Sequence, residues 1–238
     1  MLSNNLRVIA LIPARGGSKG LVRKNMFPLN GKPLLQYTVE AAINSRFIDD
    51  IWISSDDLEI LNFSSQFSRV NILHRPEAIA DDAASAIDVV RHFISCLPVH
   101  SQNENPLLIY LQPTSPLRSS SHIDNSLETM DAKGYLRLMS VFTLDKSPYK
   151  SFGLDKNGLL FSLFEERLSN SRRQDLPITL HPNGAIYAFT VEDFLLHGSF
   201  PSNGSYPYVM NEGDSVDIDS IEDVYVAEKL LRGANGAI

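Results

Sequence analysis

Apolar and polar positions alternate between two periods along this chain. Leu6 to Pro13 is a continuous apolar run, the pattern of a strand buried on both faces. Pro33 to Arg46 carries apolar residues at helical spacing and opens with proline, which suits the first turn of a helix. A short strand at Ile51 to Ser54 runs into Ser-Ser-Asp-Asp; a helix over Leu58 to Phe67 and a strand over Val70 to Leu73 follow. Further on come a helix over Ala83 to Leu97, a strand over Leu107 to Leu111, a helix over Ser119 to Ala132 and a strand over Leu138 to Thr143. This rhythm predicts an α/β fold with a mostly parallel sheet and helices on both faces.

The rhythm breaks over 144–180. Asp155-Lys156-Asn157-Gly158 is a turn signal between Tyr149–Phe152 and Leu159–Phe164, which predicts a β-hairpin. A polar, arginine-containing stretch follows from Glu165 to Asp175. The parallel rhythm is expected to resume at Ala185 to Phe189, and a helix over Ser220 to Leu231 ends the pattern. The chain thus divides into an α/β unit, 1–143 with 181–238, and an inserted element, 144–180. An exposed hairpin bearing apolar residues is a candidate dimerisation surface.

Composition narrows the picture. The 238 residues fit one domain with a small appendage, and 43% apolar with 21% charged residues describe a globular chain. With 21 basic and 28 acidic residues the net charge is −7, which argues against nucleic acid as the main partner. A local cluster of cations can still hold a small anion. Cys96 is the single cysteine, so no intramolecular disulfide forms; its apolar setting, VVRHFISCL, predicts a buried thiol. The N-terminal run reads as a first strand, no run reaches membrane-spanning length, and a cytoplasmic location is expected.

In open α/β sheets ligands bind beyond the C-terminal ends of the strands. The polar clusters fall there: Arg15 to Lys24, Ser54 to Asp57, and Gln112-Pro113-Thr114-Ser115-Pro116. The first follows IP and reads ARGGSKG. Its glycines let backbone N–H groups converge on an anion, and Arg15, Lys19 and Lys24 add charge that suits a triphosphate. GGSKG lacks the G-x-G-x-x-G spacing, and Gly31-Lys32 is followed by Pro33, so neither familiar nucleotide motif applies. Ser18 has no paired base or G-x-S-x-G context to make it a nucleophile.

Near the far end stands Asp214-Ser215-Val216-Asp217-Ile218-Asp219. In an extended segment Asp217 and Asp219 point to one side, with Val216 and Ile218 turned to apolar packing. Two carboxylates with room for water and phosphate suit Mg²⁺; the competing reading is an N-cap, at Asp219 or Ser220, for the helix that follows. A phosphate loop and a carboxylate pair together point to phosphoryl or nucleotidyl transfer. Trp52 fits sheet packing, and His74, His92, His100 and His122 lack metal-ligand spacing.

ARGGSKGLVRKN at 14–25, RPEAIADDAAS at 75–85, LQPTSPLR at 111–118, RQDLP at 173–177, PNGAIY at 182–187 and DSVDID at 214–219 resemble the acylneuraminate cytidylyltransferase family. The resemblance implies a Rossmann-like nucleotide-binding fold, a homodimer formed through the insertion, and Mg²⁺-dependent joining of CTP to a nine-carbon α-keto acid sugar with release of pyrophosphate. It implies that Ala14, Arg15, Gly17, Ser18, Lys19 and Asn25 line the nucleotide site, with Lys24 beside them, and that Arg75 and Ser85 lie near the cytidine. It places Gln112, Asn183 and Tyr187 at the sugar, and Lys150 and Arg173 as cations reaching the sugar from the partner subunit. Asp217 and Asp219 would hold Mg²⁺, and Arg15, Lys24 and Asp217 would carry the catalysis. Many relatives have arginine before PNG where this chain has His181, so the sugar could be a relative of sialic acid such as legionaminic acid. The alternatives are a synthetase for the eight-carbon keto-deoxy-octulosonate and a non-catalytic nucleotide-binding module.

Overall fold

In the computed structural model, which describes residues 2, 6–18, 20–80 and 84–235, eleven strands are found among those residues. They are β1 Val8–Pro13, β2 Pro28–Leu29, β3 Lys32–Pro33, β4 Asp50–Ser55, β5 Val70–His74, β6 Leu107–Tyr110, β7 Arg137–Thr143, β8 Phe152–Leu154, β9 Leu160–Ser162, β10 Leu180–Thr190 and β11 Tyr206–Val209. The helices are α1 Leu34–Ile43, α2 Leu58–Ser64, α3 Ala86–Cys96, α4 Val99–Asn103, α5 Ser120–Lys133, α6 Glu166–Ser169, α7 Val191–His197 and α8 Ile221–Asn235. Seven strands form one sheet in the order β11-β7-β10-β6-β1-β4-β5.

The unbroken apolar run of β1 has the expected cause. Val8, Ala10 and Ile12 face a core that includes Leu35 and Val39 of α1 and Ile123 and Leu127 of α5. Ile9 and Leu11 face a second core with Val90 and Phe93 of α3 and Phe194 of α7. Trp52 packs edge-to-face on Phe93 at 5.7 Å, as sheet packing requires. A third, smaller core joins Leu21, Leu34, Ile218 and Val224. It pins the segment after β1 to the segment before α8, which are about two hundred residues apart in sequence.

β1 pairs in parallel with β4 on one side and β6 on the other, and β4 with β5. The chain builds outward from β1 to β5 and then crosses back through α3 to β6. The strand order therefore reverses at β1 and β6, and their C-terminal ends flank the crevice that binds ligands in such sheets.

One expectation is corrected. The strand around Ala185 to Phe189 does not resume the parallel rhythm: β10 is antiparallel to both β6 and β7. It is also longer, and its register with β7 shifts between Pro182 and Tyr187. The physical reason is the connection. The chain leaves β7 at the C-terminal edge of the sheet, forms the insertion, and re-enters at that same edge; a parallel strand would have needed a crossover.

A second correction concerns Cys96, which is exposed. The buried stripe of α3 runs through Val89, Val90, Phe93 and Ile94; Cys96 lies in the last turn at the stripe's margin, with Sγ 3.6 Å from His92 Nε2. The apolar context marked the helix face rather than the residue. The same helix begins at Ala86, not Ala83, because Ser85 caps it. The Ser85 hydroxyl accepts from Asp88 N, and the Asp88 carboxylate accepts from Ser85 N. Ser85→Ala is expected to lower unfolding stability by about 1 kcal/mol, measured by urea denaturation.

In the insertion, β8 and β9 pair with each other as a hairpin. The Asp155 carboxylate shapes the turn by accepting from Asn157 N and Leu159 N, both at 2.8 Å. Leu154, Leu160, Phe161 and Ile178 are exposed on this element.

Candidate active site

The loop after β1 is folded on itself by its own polar side chains. Ala14 is buried and its N–H continues the β1–β4 pairing by donating to Ser54 O at 2.9 Å. Gly16 N donates to Asp56 Oδ1 at 3.1 Å. The Ser18 hydroxyl donates to Leu21 O and accepts from Lys24 N, and Asn25 Nδ2 donates to Arg15 O at 2.8 Å. Ser18 and Asn25 thus spend these groups on loop shape, which leaves the loop held for an incoming ligand. Lys19 lies outside the described residues.

Three segments distant in sequence meet here. Lys24 Nζ lies 2.6 Å from Asp219 Oδ1; the lysine side chain is 14% exposed and the carboxylate 77%. At Gly20 the backbones themselves touch, since a Cβ added there would lie 2.4 Å from the Asp219 carbonyl oxygen. Ile218 N donates to Thr114 O at 2.8 Å, and the Thr114 hydroxyl bonds the Asp217 carboxylate. The loops at 14–25, 112–116 and 214–219 therefore form one rim.

A cleft of about 250 Å³ opens between them, at the C-terminal ends of β1 and β6. Pro13, Ala86 and Val89 make one wall apolar, while Arg15, Lys24 and Arg75 bring positive charge, with Gly17 and Gln112 completing it. Arg75 is 3% exposed; among the described residues its Nε and Nη2 have no hydrogen-bond partner, and Nη2 lies 3.5 Å from Asp56 Oδ1. Burial lowers its pKa; Asp56, 3.5 Å away, opposes that shift and the charge of Arg15 adds to it. Unused guanidinium donors beside a second arginine suit an anionic ligand. Arg75→Met is expected to weaken binding of a nucleoside triphosphate roughly ten- to a hundredfold by calorimetry.

The carboxylate pair stands on the rim. Ser220 and Asp223 share the capping of α8: the Asp223 carboxylate accepts from Asp219 N and Ser220 N, and the Ser220 hydroxyl accepts from Asp223 N. Of the two cap candidates Ser220 serves, and the side chains of Asp217 and Asp219 stay outside the cap. Asp217 keeps a solvent-facing edge, yet the surrounding protein raises its pKa by desolvation. Asp219 and Asp223 push it the same way, while the Thr114 bond and Lys24 oppose. A carboxylate crowded by like charges beside a second hard oxygen donor fits Mg²⁺, whose charge would relieve the crowding. Among the described residues no group of three or more His, Cys, Asp or Glu converges.

At the other end of the cleft Gln112 lies against Gly184. Gly184 has φ of 74°, and a Cβ there would lie 2.4 Å from Gln112 Oε1. Asn183 is buried, and its amide is committed internally: Oδ1 accepts from Ser140 Oγ and Ala185 N, and Nδ2 donates to Ser215 Oγ at 2.9 Å. It ties the irregular part of β10 to β7 and to the DSVDID segment. Tyr187 packs on Tyr110 and Phe200, and both burial and the nearby Asp217 raise its pKa. Ser85 caps α3 between Ala84 and Ala86, which line the cleft. His181 is exposed and edge-on to Phe142 at 5.6 Å.

Lys150 and Arg173 do not line this cleft. Arg173 Nη2 bonds Asp145 Oδ1 at 2.9 Å, beside a separate cavity of about 440 Å³ within the insertion. Sequence reasoning passed over Thr114, Asp56 and Arg118. The first two lie in loops already marked by position, but their partners come from distant segments.

A twisted α/β sheet with a cationic cleft at its order reversal and a carboxylate pair on the rim defines a nucleotide-binding protein built for phosphate chemistry. A family model described as cytidylyltransferase matches residues 9–169. The chain belongs to the cytidylyltransferase family, among the acylneuraminate cytidylyltransferases and their relatives. It is 33% identical over 220 residues to an N-acylneuraminate cytidylyltransferase of Streptococcus agalactiae, covering 92% of this chain and 52% of the relative. It is 32% identical to a CMP-N,N′-diacetyllegionaminic acid synthase of Legionella pneumophila and 30% identical to a pseudaminic acid cytidylyltransferase of Campylobacter jejuni. Each match covers 95% of this chain and 97% of the relative. The chain spans about half the length of the streptococcal relative and nearly all of the other two. Among solved structures, a CMP:2-keto-3-deoxy-manno-octonic acid synthetase complexed with CTP superposes with a TM-score of 0.68 at 15% identity, over 96% of this chain and 99% of that one. That likeness is one of fold. Among the described residues no helix is long and apolar enough to cross a membrane.

Proposed function

We propose that this chain is a CTP-dependent cytidylyltransferase that activates a nine-carbon α-keto acid sugar, an N-acylneuraminate or a relative such as legionaminate, to its CMP-sugar. The observation that carries the reading is the contact of the phosphate loop with the carboxylate pair, made at Gly20 and through Lys24–Asp219. A module that only bound a nucleotide would have no need of that pair.

The base enters the apolar side of the cleft near Pro13 and Val89, and Arg15, Lys24 and Arg75 face the triphosphate. The sugar lies toward Gln112 and Tyr187. Its anomeric hydroxyl attacks the α-phosphorus in line and gives up its proton to water; the new O–P bond forms as the bond from the α-phosphorus to the bridging oxygen breaks, and pyrophosphate leaves with that oxygen. Arg15 and Lys24 stabilise the charge that builds on the leaving group. Mg²⁺ held by Asp217 and Asp219 would supply further neutralisation of phosphate charge. We propose a cytoplasmic reaction, as expected for an enzyme that draws on CTP.

The test is pyrophosphate release with each nucleoside triphosphate against N-acetylneuraminate, N,N′-diacetyllegionaminate, pseudaminate and the eight-carbon keto-deoxy-octulosonate. Turnover is expected with CTP and a nine-carbon acid. Turnover with the eight-carbon acid alone, or with none, refutes the reading. The relatives at 30–33% identity support the nine-carbon class.

The exposed apolar residues of the insertion support a homodimer formed there, which would bring Lys150 and Arg173 to the partner's cleft. Phe161→Glu is expected to yield a monomer in sedimentation, with acceptor KM raised. A monomer of unchanged KM would show that neither cation works across subunits.

A further inference from the structure

Arg118 closes the LQPTSPLR stretch and is among the largest fully buried side chains, at 1% exposure. Among the described residues no carboxylate pairs with it. Burial pushes its pKa down to about 9, so it keeps its charge at neutral pH. Its Nη donors go to three different elements, while among the described residues Nε has no hydrogen-bond partner. Nη1 donates to the carbonyls of Gln112, at 3.3 Å, and Ala185, at 3.2 Å, and Nη2 donates to Thr38 Oγ1 of α1 at 2.5 Å. The Thr38 hydroxyl in turn reaches the Gln112 carbonyl at 3.4 Å. One guanidinium therefore bolts the 112–116 loop to the irregular part of β10, one residue past Gly184, and both to α1.

A buried cation without a counter-ion is a costly tie between carbonyls. What it joins is specific: Gln112, which lines the cleft, and the backbone beside Gly184, against which the Gln112 amide rests. Only a planar fork reaches both carbonyls and the hydroxyl together, which a lysine cannot do.

We propose that Arg118 is a positioning residue that seats Gln112 over Gly184 and so preforms the acceptor end of the cleft. This rests on the reading of Gln112 as an acceptor contact. Arg118→Lys, which keeps the charge and loses the fork, is expected to speed amide exchange at Thr114, Ser115 and Ala185 about tenfold while leaving the loop after β1 protected. With CTP and N-acetylneuraminate, acceptor KM is expected to rise about tenfold with CTP KM unchanged. In a Gln112→Ala background the same substitution is expected to add nothing.

Unchanged exchange, an additive effect in the double variant, or an equal rise in CTP KM overturns the proposal. If Gln112→Ala alone leaves acceptor KM unmoved, the reading of the site fails, and the exchange result still decides the role of Arg118. Should Arg118→Lys fail to fold, Thr38→Val removes one of the three anchors. It is then expected to give the same pattern at about threefold, and no change there overturns the proposal equally.

Discussion

Asp217→Ala is expected to lower turnover by at least about a hundredfold and to leave the protein folded. The loss follows from removing one of two hard oxygen donors at the rim; Asp219, already engaged by Lys24, cannot replace it. The stability follows from the sign of the carboxyl's shift. Folding raises the Asp217 pKa, chiefly by desolvation, so the folded state favours its protonated form. Its contribution to stability is present at low pH and is lost as pH rises through the folded pKa. At neutral pH the alanine variant is therefore as stable as the parent or more so, while in acid it loses that advantage. Thermal melts at pH 4 and pH 7.5, beside pyrophosphate assays, check both halves. Near-normal turnover would remove Asp217 from the metal site, and a variant less stable at pH 7.5 than at pH 4, relative to the parent, would contradict the shift.

Gly20→Ala is expected to disable the site without touching any group that contacts a ligand. The added methyl would stand 2.4 Å from a backbone carbonyl, and neither partner is a flexible side-chain end. The loop after β1 or the segment at 217–219 must move, and the Lys24–Asp219 contact goes with it. A fall in kcat/KM of roughly a hundredfold is expected, together with a loss of about 1–3 kcal/mol in stability from overpacking. Gly17→Ala is the matched comparison: nothing lies within 4 Å of a Cβ there, so its stability should stay near that of the parent. Equal behaviour of the two variants would mean that the contact between loop and acidic segment is dispensable.

The parallel half of the sheet was legible because strands buried on both faces leave unbroken apolar runs, as in β1. The direction of β10 was not, because a strand's composition is the same whichever way it runs. The phosphate loop announced itself by glycines and cations after a buried strand, and the pairing of Asp217 with Asp219 by their spacing. What a polar side chain bonds is another matter. Ser18, Asn25 and Asn183 have the right chemistry to meet a ligand, and the structure commits much of it to backbone and neighbouring side chains. Arg118 gave no sign at all, since arginines are ordinarily exposed and nothing in PLRSS marks one as buried. Its partners come from residues 38, 112 and 185, which no local pattern connects.

The reversed direction of β10 has a bearing on how such proteins diversify. Because β7 ends, and β10 begins, at the same edge of the sheet, everything between them is a detachable loop on that edge. Residues 144–179 can be lengthened, shortened or exchanged without shifting the register of any strand of the seven-stranded sheet. Under the proposed dimer, a graft of this stretch from a relative is expected to change what positions 150 and 173 present to the partner's cleft while leaving each cleft's own lining in place. The scaffold keeps this segment apart from the residues that line the cleft, so that one can vary while the other is kept.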